Sequence, residues 1–515
     1  MTAVPEFDCI VVGSGPSGVA CASALLAAGR SVLMVDAGVS LEPERAALVQ
    51  TARERWDVSA DTAAWAVHEA REGLPRKLIY GSEFPYSEAG EQLGLVRTGV
   101  GVEPSFAVGG LSNVWGAAAL PFVQHDIADW SITEAQLAPH YAACSDLLGI
   151  SAAEDDLSEW LPLYAKPRAP LERSAQASAM HRSLSRNREA LRNAGFRFGQ
   201  ARVAAAAEDC LYCGLCLHGC PRKLIYAAPR TLQALQANPR FGYRSNVVVE
   251  QVSEDAVCVS VTGKDRLSAE PVALHAKRAF LAAGALPTTA LLMRAGALDR
   301  ATLKDSQYFL LPLLFLRGAA KPSAERLHTM AQLFLELRDA AISPHTVHMQ
   351  VYTYNDHMAH EVSRRLGPLS FAAPFADARL GLIQGYLHSA HSGAIELSLE
   401  NGALHARGQA SVEARSRVGK LIGKLLAAAP KLGAAPVWPL LEIAEPGRGF
   451  HVGGSFPMSA APSGAASDRL GRPFGWRRIH AVDASVLPSI PATTITFAVM
   501  ANAHRIGAEA AKDEA

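Results

Sequence analysis

Residues 7 to 38 read FDCIVVGSGPSGVACASALLAAGRSVLMVDAG, and this stretch leaves the chain little freedom. Cys9 to Val12 is a continuous apolar run, the pattern of a strand buried on both faces. Gly13, Gly15 and Gly18 follow at G-x-G-x-x-G spacing. The small-residue segment VACASALLAAG reads as a helix that stops at Gly29, and SVLMVD as a second buried strand closing on Asp36. Each part has a physical task. Gly13 makes a tight turn, Gly15 lets the backbone approach a pyrophosphate, and Gly18 lets the helix press on the strand. The helix N-terminus offers unpaired N–H groups to phosphate, with Ser17 in its first turn. An acid closing the second strand grips ribose hydroxyls. An ordinary βαβ unit with incidental glycines would leave Asp36 unexplained, so the expectation is a dinucleotide site.

The rest of the composition narrows the class. The chain has 515 residues, enough for two domains or one large composite. Lys+Arg and Asp+Glu number 49 each, so no basic surplus points to nucleic acid. The longest apolar run, YFLLPLLFL at 308–316, carries Pro312 and is too short to span a bilayer. It reads as a buried strand, and no transmembrane segment is expected. The N-terminal stretch shows no signal-peptide pattern, which implies a cytoplasmic protein.

The far end of the chain decides the cofactor. His451 precedes Gly453 and Gly454, with Met458 beyond; Asp468 and Gly471 form a short D…G turn. IHAVDASVLPS (479–489) and TTITFAVMANAHRIG (493–507) follow. Together these resemble the C-terminal segment of the glucose–methanol–choline (GMC) oxidoreductases, which are FAD enzymes. Other stretches resemble the same family. GGLSNVWGAAALPF, from Gly109, resembles the loop under the flavin; YRSNVVVEQV (243–252) resembles the strand beside the adenine; KRAFLAAGALPTTALLMRAG (277–296) resembles a strand–turn–helix signature. In that signature Thr288 and Thr289 stand where Ser/Thr-Pro is usual, and Ala295 replaces a serine.

The resemblance implies an α/β fold. A Rossmann-like FAD-binding domain would comprise residues 1–300, discontinuous, completed by 446–515. Within it lie a Cys-rich segment at 205–225 and cap-like insertions at 39–95 and 126–205. A substrate domain at 301–445 would be built on an antiparallel sheet flanked by helices. HTVHMQVYTY (345–354) and LGLIQGYLHS (380–389) read as its strands, and HSGAIELSLENGALHARG (391–408) as a further strand pair of the same sheet. EARSRVGKLIGKLLAAAPKL (413–432) reads as an amphipathic helix on the sheet's back.

The implied site residues are these. FAD would be held by Gly13, Gly15, Ser17, Gly18, Asp36, Gly109, Gly110, Ser112, Asn113, Val248, Ala283, Asp483, Ala484, Thr494 and Ile495. GGLSNVWG has no histidine, so the flavin is expected to be non-covalent. Alcohol oxidation needs a base for the hydroxyl proton and a flavin for the hydride. His451 occupies the family's base position. The second position, usually Asn or His, falls on Thr494, which can hydrogen-bond but cannot act as a base. Asn502 and His504 are the alternatives if the register slips. His348, Gln350, Tyr352, Gln384, Tyr386 and His388 alternate along the two strands, and a polar, aromatic floor suits a sugar, cyclitol or glycoside.

CLYCGLCLHGCP at 210–221 resembles a stretch of some bacterial FAD-dependent sugar dehydrogenases of this family, whose cluster passes electrons from flavin to a separate acceptor, while other relatives carry Cys- and Gly-rich stretches there with no metal. Cys210, Cys213, Cys216 and Cys220 are spaced C-x2-C-x2-C-x3-C-P, as in bacterial ferredoxins. With no second run, they suit one iron–sulfur cluster, [3Fe–4S] or [4Fe–4S]. Zinc, a thiol switch and plain buried cysteines compete with that reading. A cluster makes the chain a dehydrogenase that passes electrons from its alcohol substrate to an acceptor protein. Without one, an oxygen-using oxidase with structural cysteines, or an isomerase, epimerase or lyase with no net redox exchange, stays open.

Overall fold

A computed structural model describes residues 7–54, 77–318, 322, 325–355 and 378–513. Residues 55–76 of the first insertion and 356–377 of the substrate-domain segment therefore lie outside the described residues. The fold is mixed α/β, with three sheets.

The first sheet grows from the N-terminal fingerprint. β1 (Phe7–Val12) lies parallel to both β2 (Val32–Val35) and β8 (Pro271–Leu281). β5 (Phe241–Arg244) extends it beyond β2. β6 (Val247–Glu254) and β7 (Val259–Asp265) fold back antiparallel on β8, and β19 (Ile479–Ala481) pairs parallel with the end of β8. The run Cys9 to Val12 is buried throughout, and Ile10 and Val11 have no exposed surface. The helix Pro16–Ala27 carries proline in its first turn, where a missing N–H costs nothing. It packs on the final helix Ile495–Ala510 so closely that a Cβ on Gly507 would lie 2.9 Å from the Cys21 carbonyl oxygen.

The second sheet is antiparallel throughout. Its main path is β16 (Ala434–Pro436), β10 (Gln307–Phe315), β13 (Leu380–Leu387), β12 (Ser343–Tyr352), β11 (Leu333–Asp339) and β4 (Phe196–Gln200), with β17 (Glu442–Ile443) also on β10. The run YFLLPLLFL forms strand β10 up to Phe315, but only its alternate residues Phe309, Leu311, Leu313 and Phe315 are buried, and Leu314 and Leu316 are exposed. Alternation gives the sheet two different faces. Phe309, Leu311, Val347, Met349, Ile383, Leu335 and Phe198 form one, buried against the helices Val412–Leu432 and Ala175–Arg186. The first of these is the amphipathic helix expected from its spacing. Ser411 caps it, its Oγ accepting the Ala414 N–H at 3.1 Å, and Gly433 ends it at φ +76°. Tyr308, Gln350, Gln384 and Tyr386 lie on the opposite face. The stretch 126–205 supplies both β4 and the helix Ala175–Arg186, so it is built into this layer.

The third sheet orders β18 (Val452–Gly453), β9 (Arg300–Asp305), β14 (Ala394–Glu400), β15 (Ala403–Gln409) and β3 (Leu95–Thr98). The hairpin 391–408 was expected in the substrate-domain sheet. It lies here instead, because Ile395, Leu397, Leu404 and Ala406 bury into the core of the first sheet. β18, next to His451, pairs with β9 and so fixes that histidine's backbone against the junction of β9 and β10.

Gly385 lies on the apolar face of β13, where a Cβ would be 2.0 Å from the Phe309 ring. Gly385→Ala overpacks that face and should lower stability by about 1–3 kcal/mol. Chemical denaturation checks it; an unchanged midpoint would show that the ring can move aside.

Candidate active site

The fingerprint glycines act in three different ways. Gly13 sits at φ +104°, and a Cβ there would lie 2.4 Å from the Ala282 carbonyl oxygen. A Cβ on Gly18 would lie 1.9 Å from the Gly13 carbonyl oxygen, so that glycine serves packing rather than ligand contact. A Cβ on Gly15 would meet nothing within 4 Å, because Gly15 opens on a cavity of about 1310 Å³. That volume exceeds the roughly 300–1,000 Å³ of a site for one drug-sized ligand.

Most of the expected residues meet in this cavity. Gly13, Gly15, Ser17, Asp36, Gly110, Ser112, Val248, Ala283, Asp483, Ala484, Thr494, Ile495 and His451 all line it. Gly18, Gly109 and Asn113 do not. Gly109 is left-handed at φ +84° and packs against Pro229. Asn113 braces the loop by donating to the carbonyls of Val108 and Gly110 at 3.0 and 2.7 Å. Asp36 is buried; burial raises its pKa, while the hydroxyls of Ser14 and Tyr243 and the Gly38 amide draw it back. Asp483 accepts from Gly284 N–H at 2.9 Å, Thr288 Oγ1 at 2.5 Å and Ser485 N–H at 3.0 Å. Thr288, a departure from the family pattern, thus holds that carboxylate, and Thr289 bonds Ser455 at 2.6 Å.

His451 stands where the cavity meets the second sheet. Its ring stacks on Tyr386, centroids 4.6 Å apart, and Tyr386 stands 5.3 Å from Tyr308. Burial, and secondarily His348, pull the imidazole down to about 3, so it is neutral at physiological pH. Its Nδ1 finds no hydrogen-bond partner among the described residues. Thr494 is the N-cap residue of the final helix, and its buried Oγ1 is likewise unpartnered among them. The alternatives for its position lie elsewhere: Asn502 accepts from Arg505 and His504 pairs with His140 at 2.8 Å.

On the floor, Gln350, Tyr352, Gln384 and Tyr386 reach the cavity as expected. His348 and His388 do not line it. His348 is fully buried behind Gln350, and His388 stacks on His345 at 3.7 Å, away from the site. Sequence reasoning missed Ser14, Tyr308 and Lys77. Tyr308 was hidden at the start of an apolar run, and Ser14 between two glycines. Lys77, whose Nζ donates to the Trp115 carbonyl at 3.0 Å and which burial pulls to about 8, had no signal at all.

The cysteine run borders the same cavity: Leu217 and His218, between Cys216 and Cys220, line it. Burial, and secondarily the neighbouring thiols, raise the pKa of Cys210, Cys213 and Cys216, the last to about 12. Among the described residues, no three His, Cys, Asp or Glu side chains are arranged to hold a metal ion, these cysteines included. Their N–H contacts, Tyr212 to Cys210 Sγ and Leu224 to Cys220 Sγ at 3.4 Å each, are of the kind that stabilise thiolates.

Comparison with known families agrees with this geometry. The N-terminal GMC oxidoreductase model matches residues 94–304 and the C-terminal GMC oxidoreductase model matches 414–503, together more than half of the chain. The chain belongs to the GMC oxidoreductases. It is an FAD-dependent oxidoreductase acting on CH–OH-type substrates. No curated protein sequence matches it. Among solved structures, pyridoxine 4-oxidase from Mesorbium loti superposes with a TM-score of 0.61 at 16% identity, covering 99% of this chain and 100% of that one. A variant of the Aspergillus oryzae RIB40 formate oxidase does so with a TM-score of 0.61 at 14% identity, covering 98% of each chain. These likenesses show the fold. The residues fit FAD: the open Gly15, the buried Asp36 and the free end of the final helix all face one cavity large enough for a dinucleotide.

His451 and His388 are held near 3, and His328 and His480 near 4, mainly by burial. In the unfolded chain each takes a proton below about 6.5, whereas the folded form refuses it. The contribution of these histidines to stability should therefore be flat above pH 7. It should fall as pH drops from about 6.5 toward 4, by up to ~1.4 kcal/mol per pH unit for each histidine. Calorimetric melting between pH 7.5 and 5 tests this; an unchanged melting temperature over that range would contradict it.

Proposed function

We propose that this protein is a dehydrogenase of polyhydroxylated alcohols (a sugar, cyclitol or glycoside), with His451 as the base. The observation that carries the reading is the neutral His451, whose ring lines a cavity shared by the nucleotide fingerprint and a floor of Tyr308, Tyr386, Gln350 and Gln384. FAD, which Gly15, Ser17 and Asp36 would help to hold, would supply the two-electron acceptor for the hydride that leaves the carbinol carbon. The neutral His451 imidazole takes the hydroxyl proton. Tyr386, stacked on the imidazole, holds its plane. Thr494 Oγ1 adds a hydrogen bond at the helix N-terminus, where the positive dipole end favours developing negative charge. The amides and phenols of the floor bind the remaining hydroxyls.

We further propose that Cys210, Cys213, Cys216 and Cys220 hold an iron–sulfur cluster serving an acceptor protein. The support is the ferredoxin spacing, the N–H contacts to sulfur and the contact of Leu217 and His218 with the cavity. A cluster spreads its thiolates over several irons, so their failure to converge on one ion does not count against it. A second reading sends the electrons to dioxygen; the similarity in fold to two oxidases, pyridoxine 4-oxidase and formate oxidase, favours it.

Anaerobic mixing with a panel of glucose, myo-inositol, glycosides and aliphatic alcohols tests the substrate reading. Polyols should bleach the flavin fastest; faster bleaching by every aliphatic alcohol would overturn it. His451→Gln should retain flavin and slow bleaching by roughly 10²–10⁴-fold. Because His451 stays neutral well below pH 6, the wild-type rate should show no loss near 6.5. A rate that halves there would place the base in an ordinary histidine environment. Iron and acid-labile sulfide at about three to four per chain would support the cluster. Iron-free protein prepared without oxygen, reoxidised rapidly by air, would establish the oxidase reading instead.

A further inference from the structure

Gln350 and Tyr352 touch the cavity, but both hang from a chain that begins beyond any substrate's reach. Glu336 on β11 and His348 on β12 stand opposite each other, both side chains fully buried. His348 Nδ1 lies 2.7 Å from Glu336 Oε1, and His348 Nε2 lies 3.2 Å from Gln350 Nε2. The Tyr352 hydroxyl donates to Gln350 Oε1 at 3.0 Å. A Cβ built on Gly116, itself on the cavity wall, would lie 3.5 Å from that hydroxyl.

Each link dictates the next. A carboxylate only accepts, and a neutral imidazole carries one proton. An ionised Glu336 therefore takes the Nδ1–H, and His348 Nε2 is left as an acceptor. Gln350 must turn its NH2 toward that nitrogen and its carbonyl toward Tyr352. Tyr352 gives its proton to the carbonyl and presents only lone pairs to the cavity. A second proton on the Glu336–His348 pair would reverse every link, and Tyr352 would become a donor.

A buried ionisable pair is costly, and apolar residues of similar size would be no less stable there. Glu336 Oε2 has no partner among the described residues, and burial raises the carboxyl's pKa. Beyond His348, the charges acting on Glu336 come from Asp126 and Arg202, while Arg338 feels Glu336 in turn. Arg197, opposite it on β4, is committed to Glu159 at 2.6 and 3.0 Å. His451 feels His348. None of these replaces the link from His348 to Gln350.

We propose that Glu336 and His348 are positioning residues that fix Tyr352 as a hydrogen-bond acceptor, so that the site selects substrates offering a second hydroxyl as donor. The inference rests on the cavity being the alcohol-oxidising site proposed above.

A double-mutant cycle on the flavin-loaded enzyme tests it, using the polyol that bleaches wild-type flavin fastest. Tyr352→Phe and Glu336→Met, which removes the acceptor of the His348 Nδ1–H, should each raise KM roughly tenfold, the size of one lost buried hydrogen bond, with kcat changed less than about twofold. The double variant should be no worse than either single one, because both act through the same hydroxyl. Additive effects, or a KM that Glu336→Met leaves unchanged, would overturn the proposal. Flavin content and melting temperature report folding. If Glu336→Met folds poorly, His348→Phe, which removes the acceptor of the Gln350 NH2, takes its place in the cycle with the same expectation. A wild-type flavin that no polyol bleaches would overturn the functional reading and this inference with it. Bleaching combined with additivity would overturn this inference alone.

Discussion

Asp483 joins segments 195 residues apart: its buried carboxylate accepts from the Gly284 amide and the Thr288 hydroxyl, as well as from its own neighbour Ser485. A carboxylate moved out of water costs several kcal/mol unless hydrogen bonds replace its hydration, and here three do. That junction is one of several that tie the final segment to the N-terminal βαβ unit and its sheet. Alongside it, β19 pairs with β8, and the final helix reaches the helix Pro16–Ala27. The small residues of both helices allow the approach, since Gly507 leaves no room for a Cβ against Cys21. His451 and Thr494 come to the fingerprint cavity because these contacts bring them there.

The second sheet answers a different demand. Its strands must bury one face in a helix-covered core and present the other to a polar ligand. Strict alternation achieves both, with phenylalanine and leucine on one side and tyrosine and glutamine on the other. A one-residue slip of β13 would exchange Gln384 and Tyr386 for Ile383 and Gly385. Phe309 lodged over Gly385 resists that slip, because no other residue there leaves the ring its space. The packing that gives the sheet its stability therefore also holds the register of the site.

The sequence made the fingerprint, the closing segment and the amphipathic helix legible because their information is local. Strand, glycine spacing and acid occur within thirty residues, and helical periodicity needs no partner. Non-local matters were not legible. Nothing in HSGAIELSLENGALHARG says which of two sheets it joins; burial against the first core decides it. The periodicity that put His348, Gln350 and Tyr352 on one face was right. It could not show that Glu336, from another strand, draws His348 away from the cavity. Lys77 is the extreme case, its place set by a carbonyl 38 residues downstream. The four cysteines were legible as a ligand pattern. Their geometry could not be read, because spacing along a loop does not fix where sulfur atoms point.

Two polar atoms of residues that line the cavity, His451 Nδ1 and Thr494 Oγ1, are buried without partners among the described residues. Such atoms cost about 1–3 kcal/mol each when left unpaired. Arg505, nearly inaccessible, is by contrast satisfied by Glu509, Asn502 and the Arg469 carbonyl. A ligand that supplies hydrogen bonds at those two atoms regains the lost energy on binding. A folded chain that satisfied them internally would be more stable and would have nothing left to offer a hydroxyl group.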